Sequence, residues 1–133
     1  MGKHVLVVGW EPTSIDFDSD FFRGKPLTAA SIQAGLDADH ARLLAAGYDV
    51  TWLYARYGGD PAAEAARLRD LLAARPADLV VVGGGVRLDP TATPMLEALV
   101  NAAASAGVRL GFNTTPNDTA AAVERGLADA LVA

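Results

Sequence analysis

A carboxylate at Glu11, a guanidinium at Arg87, an amide at Asn113 and hydroxyls at Thr114 and Thr115 are the side chains of this 133-residue chain best placed to share chemistry. Each follows a short apolar run, and two of those runs end in glycine: Gly9 with Trp10, then Gly83, Gly84 and Gly85. Open glycine backbone, an amide, hydroxyls and an arginine together suit a small anionic or carbonyl-bearing ligand. Arg87 would clamp the anionic group, Asn113 and Thr114 would orient it, and Glu11 is the acid–base candidate. Thr115-Pro116 reads as a helix start, whose free backbone N–H groups attract anions. Singly, each residue has a plainer use: a strand-end glycine, a helix cap, or an arginine paired with Asp89.

Several chemistries are excluded. There is no cysteine, hence no disulfide, thiolate metal site or thiol nucleophile. A dinucleotide fingerprint needs G-x-G-x-x-G after the first strand, but the run at 83–88 ends in Leu88 and follows the third. No G-x-x-x-x-G-K-[ST] occurs, and a seventeen-residue stretch replaces the short hydroxyl-rich turn that cradles a flavin phosphate. The third strand ends in glycine where a receiver domain needs its phosphoacceptor aspartate. No cofactor and no metal site is expected. Asp37, Asp39 and His40 match no metal spacing; a solvated Asp37, an Asp39 paired with Arg42 and a hydrogen-bonded His40 at the core edge are the expectation. His4 and His40 sit away from strand ends, which disfavours a Ser-His-Asp arrangement.

The elements that must hold these groups follow from periodicity. Val5–Val8 and Leu79–Val82 are continuous apolar runs and read as central strands buried on both faces. Residues 50–55 form an aromatic-rich strand suited to an edge, and 108–112 a fourth. Between strands, Thr28 caps a helix carrying Ile32, Leu36 and Leu43 and stopping at Gly47, and Asp60-Pro61 opens another with Ala65, Leu68 and Leu72. Thr93-Pro94, or alternatively Asp89-Pro90, starts a third after a loop, and Thr115-Pro116 a fourth with Val123, Leu127 and Leu131 inward. Strands alternating with helices give a single α/β domain over 1–133: a three-layer α/β/α sandwich with a four-stranded parallel sheet of order 2-1-3-4, flavodoxin-like or Rossmann-like. The crevice between the first and third strands gathers all the candidate residues. The loop at 11–27, with Phe17, Phe21 and Phe22, is either a functional lid or a packed cover over the sheet end.

Composition narrows the partners. A chain that is 51% hydrophobic and 20% charged suits a globular fold, and a net charge of −5 argues against nucleic acid. No apolar run reaches membrane-spanning length and none reads as a signal peptide, so the expected place is the cytoplasm. In the helix at 94–106, Glu97, Asn101 and Ser105 leave a narrow polar stripe amid Met95, Leu96, Leu99 and Val100, which predicts a homodimer through that helix.

Gly-Leu-Asp-Ala-Asp at 35–39, Gly-Tyr-Asp-Val at 47–50, Gly-Gly-Val-Arg at 84–87, Phe-Asn-Thr at 112–114 and Pro-Asn-Asp-Thr at 116–119 together resemble a group of small uncharacterised α/β proteins. Glu11-Pro12 is similar to the acidic proline turn that follows the first strand in that group. The resemblance implies a Rossmann-like or flavodoxin-like domain and no assigned chemistry. The functional expectation is a small-molecule-binding protein, or a cofactor-independent enzyme; the alternative is a non-catalytic, homo-oligomeric scaffold module.

Overall fold

The two unbroken apolar runs lie side by side at the middle of a parallel sheet. In the computed structural model, which describes residues 2–115 and 117–132 with side chains as far as residue 128, the strands are β1 (His4–Trp10), β2 (Asp49–Ala55), β3 (Leu79–Val82) and β4 (Arg109–Phe112). Their order is β2-β1-β3-β4, as the sequence predicts. Val7 pairs with Trp52 on one side and Val81 on the other. Flanking the sheet are α1 (Ala29–Ala45), α2 (Pro61–Ala74), α4 (Thr93–Ser105) and α5 (Thr119–Val132), with a single turn, α3 (Gly84–Arg87), directly after β3.

Strand alternation divides the core into two layers. Val5, Val7, Leu79 and Val81 pack with Leu43 of α1 and with Val123 and Leu127 of α5. Leu6, Val8, Val80 and Val82 pack with Leu68 and Leu72 of α2 and with Met95 and Leu99 of α4. The helix starts are chemically specified. Ser31 N donates to Thr28 Oγ1 at 3.0 Å and Ser31 Oγ accepts from Thr28 N at 2.9 Å, a reciprocal cap. Asp60 accepts from Ala63 N at 3.2 Å, and Gly47, with φ +93°, ends the first helix–strand turn.

Three local expectations are corrected. The glycine run does not enter a loop: the amides of Val86 and Arg87 both donate to Gly83 O at 3.1 Å, winding a helical turn. Gly84 makes that turn possible, because a Cβ there would sit 2.6 Å from Thr114 O, so only glycine allows this approach to the β4 loop. Asp89 and Thr93 do not compete for one helix start. Asp89 caps a 3₁₀ turn at Pro90–Ala92, and Thr93 is already the first residue of α4, its hydroxyl donating to Pro90 O at 2.9 Å. Nor does Thr115 cap the last helix: α5 begins at Thr119, with Ala122 N donating to Asp118 O at 3.1 Å. Pro116 and the side chain of Leu131 lie outside the described residues.

The apolar surplus of α4 has an intramolecular use. Met95, Leu99, Ala102 and Ala103 are buried, Leu96 and Val100 are half-buried, and the helix packs on α2 as well as on the sheet. No described helix is long and apolar enough to cross a membrane.

Candidate functional site

A cavity of about 430 Å³ opens where the C-terminal ends of β1 and β3 diverge toward α1 and the long loop. Its floor is largely glycine: Gly9 on β1 and Gly83, Gly84 and Gly85 after β3. Gly9 matters by what it lacks. A Cβ there would meet nothing within 4 Å, so the hollow exists partly because β1 carries no side chain at this position. Ile32 and Leu36 of α1, Trp52 of β2, and Trp10, Phe21, Phe22 and Leu27 also line it. A more open hollow, between the C-terminal ends of α2 and α4 near Val108, lies far from this switch point.

The loop before α1 is built to hold those aromatics. The Glu11 carboxylate accepts from Thr13 Oγ1 at 2.6 Å and Thr13 N at 3.2 Å, winding the 3₁₀ turn Pro12–Ser14. Ser14 Oγ then accepts from Tyr57 N at 2.9 Å. Phe22 is buried and meets Phe17, Phe21 and Tyr57 edge to face at 5.6, 5.0 and 5.8 Å. Trp10 meets Tyr57 the same way at 5.2 Å. The aromatics thus cover the sheet end beside the cavity.

Of the residues singled out from sequence, Gly9, Trp10, Gly83, Gly84, Gly85, Asn113, Thr114 and Thr115 come together in the lining; Glu11 and Arg87 do not. The Thr13 hydroxyl holds the Glu11 carboxyl below the ordinary range, against a smaller desolvation and helped by the Thr13 and Ser14 amides and Arg56. That keeps it ionised and occupied with its own turn. Arg87 lies over the Phe112 ring, its guanidinium carbon 5.8 Å from the centroid, and Nη2 donates to Asn113 O at 3.4 Å.

Asn113 lines the cavity, yet its amide is spent on the fold. Its Oδ1 accepts from Gly84 N at 2.7 Å and its Nδ2 donates to Thr119 Oγ1 at 2.8 Å. Thr119 N reaches the fully buried Asp39 at 3.4 Å, and Asp39 pairs with Arg42. The chain of bonds joins α3, the end of β4, α5 and α1. The Asp39–Arg42 pairing and the bond from Trp52 Nε1 to His40 Nδ1 at 2.9 Å match the sequence expectation. Thr114 and Thr115 are fastened by Asp118, which accepts from their amides at 3.0 and 3.1 Å and from the Thr114 hydroxyl. Burial pushes the Asp118 carboxyl up, but those bonds and Arg125 outweigh it and hold it below the ordinary 3.8.

What remains to greet a ligand is sparse. Lys25 is the one charged side chain among the described lining residues; it is exposed, with Nζ donating to Phe21 O and lying 4.0 Å from the Phe21 ring centroid. Trp10 is 6% exposed and its Nε1 has no hydrogen-bond partner, as is true of Ser19 Oγ and Arg87 Nε among the described residues. A buried N–H left unpaired costs about 1–3 kcal/mol, which the surrounding packing must offset. Sequence reasoning placed Phe21 and Phe22 in a lid or cover and missed Lys25, Ile32, Leu36 and Trp52 as lining. The available signal was Gly9 itself, a gap in the alternation of a core strand.

No protein-family model and no curated protein matches the chain. Among solved structures, a phosphate-loop protein determined in solution aligns over 99% of this chain and 94% of its own, at 16% identity and TM-score 0.53. A crystal structure of TesA aligns over 83% of this chain and 59% of its own, at 26% identity and TM-score 0.47, too low to carry an argument. The first likeness bears on architecture alone: this chain has an α/β fold built on a parallel sheet, as that protein has.

Proposed function

We propose that the chain binds a small apolar molecule bearing an anionic or carbonyl group, held in the cavity at the ends of β1 and β3. The observation that carries this reading is the cavity itself: an unfilled, mostly apolar space of about 430 Å³ at the switch point, with glycine at Gly9 where a core strand would ordinarily place a side chain. Its lining is mostly apolar, with few polar groups, which is the usual make-up of a small-molecule site. Glu11 and Arg87 take supporting parts here, Glu11 winding the turn before the aromatics and Arg87 bracing β4. The likeness to the group of small α/β proteins belongs to the same reading. The neighbour's phosphate loop is not carried over, because this sequence lacks the G-x-x-x-x-G-K-[ST] pattern.

The test is mass spectrometry of small molecules released from protein purified without denaturant. A stoichiometric apolar acid or carbonyl compound is the expected result. Protein that releases nothing, and whose melting temperature no apolar acid or ketone raises, would favour the scaffold alternative.

A further inference from the structure

Resting on that binding reading, we infer that the ligand is an amphiphile held tail-first, its apolar body in the cavity and its anionic head at the rim, where Lys25 selects it. The polar side chains of the lining sort by depth. The buried ones are closed to a ligand: Trp10 Nε1 is sealed in, and both ends of the Asn113 amide are bonded, to Gly84 and Thr119. Trp52, half-buried, gives its N–H to His40. The exposed ones are Lys25, Thr114, Thr115 and Asn117. Every other buried side chain of the lining is apolar: Val7, Val8, Ile15, Phe22, Ile32 and Leu36. A charged head carried among them would lose its hydration without gaining a partner, so it stays where water reaches.

Lys25 sets the sign of the head. Of the two cations in the loop at 11–27, Arg23 pairs with Asp20 at 3.6 Å. Lys25 has only neutral partners among the described residues, the Phe21 carbonyl to which Nζ donates and the Phe21 ring at 4.0 Å. Its ammonium carries three donors, and neither contact neutralises it as a carboxylate would. Thr115 and Asn117 add neutral polar groups to the same rim: Thr115 Oγ1 accepts from Asn117 N at 3.2 Å, which leaves the hydroxyl proton to give. Asp118, the acid bonded to Thr114 and Thr115, is not in the lining and spends its oxygens on their amides and the Thr114 hydroxyl. The mouth of the cavity thus presents a cation on a chain whose net charge is −5.

The experiment titrates chains of one length and different ends by calorimetry, below the concentrations at which they form micelles: decanoate, decanol, decyltrimethylammonium and decanedioate. Decanoate should bind more tightly than decanol, and decyltrimethylammonium less tightly, against the sign of the net charge. Decanedioate should not bind, because its second carboxylate would have to enter the apolar interior. Lys25→Glu should weaken decanoate about fivefold, strengthen decyltrimethylammonium and leave decanol within about twofold, the scale of an exposed charge pair. Lys3→Glu makes the same charge change just before β1, at the far end of that strand, and should alter none of them. Gly9→Val should weaken every chain alike, since it fills the space the tails share. If Lys25→Glu acts no differently from Lys3→Glu, or decanedioate binds as tightly as decanoate, the inference fails; binding that Gly9→Val still removes keeps the binding reading. If no chain binds, the inference fails as well, and the binding reading is decided by the molecules released from purified protein.

Discussion

Asn113 shows how a residue can sit at a site and serve the scaffold. Its type and its place at the end of β4 suggested a ligand contact, but both ends of its buried amide hold other elements in position. Asn113→Ala should therefore destabilise the fold by about 2–6 kcal/mol, since two buried partners lose their bond at about 1–3 kcal/mol each. Denaturant unfolding measures this directly, and a change under 1 kcal/mol would mean that water replaces the amide. Asp118 offers a pH test at the same scale. Its carboxyl is held below 3.8 in the folded chain, so its contribution is fully present above that value and fades as pH falls through the folded value. Asp118→Ala should lower the melting temperature at neutral pH, and the gap should close on acidification below about 3.8. A gap that persists unchanged at low pH would assign the effect to lost packing.

At the scale of elements, the sheet was legible because its central strands are apolar on both faces and its helices begin at Thr28 and Asp60, whose side chains do the capping. The glycine turn was not, because α3 depends on a contact between Gly84 and Thr114 that are thirty residues apart in sequence. The start of α5 was misplaced for a similar reason. Thr115-Pro116 has the local signature of a cap, but Asp118 draws Thr114 and Thr115 into its own turn and the helix begins after it. The cavity was half legible: the crevice follows from strand order, whereas its wall comes from α1 and the aromatic loop. Strand β1 carries the matching prediction. Gly9 has no positive φ and open space at its Cβ, so Gly9→Ala should stabilise the protein by about 0.5–1 kcal/mol through the strand preference for alanine over glycine. A loss of stability on chemical denaturation would show that the backbone at Gly9 needs glycine for its own sake.

For the whole molecule, the apolar pattern of α4 first pointed to a dimer, and the packing of α4 on both the sheet and α2 supplies another account of it. Among the described residues, Leu44 and Leu88 are the large exposed hydrophobics, and neither belongs to α4. Light scattering at micromolar concentration decides between the two accounts, a single-chain mass removing the expected dimer. A dimer mass that Leu96→Glu abolishes would support the two-fold interface through α4. The account as a whole turns on whether the space over Gly9 is kept open for a ligand. The most direct measurement pairs wild type with Gly9→Val, each purified without denaturant, and reads the small molecules released together with the melting temperature. A ligand released by wild type, its absence from Gly9→Val and an equal or higher melting temperature of the ligand-free variant are predicted. The same ligand retained by Gly9→Val at the same stoichiometry would contradict the account.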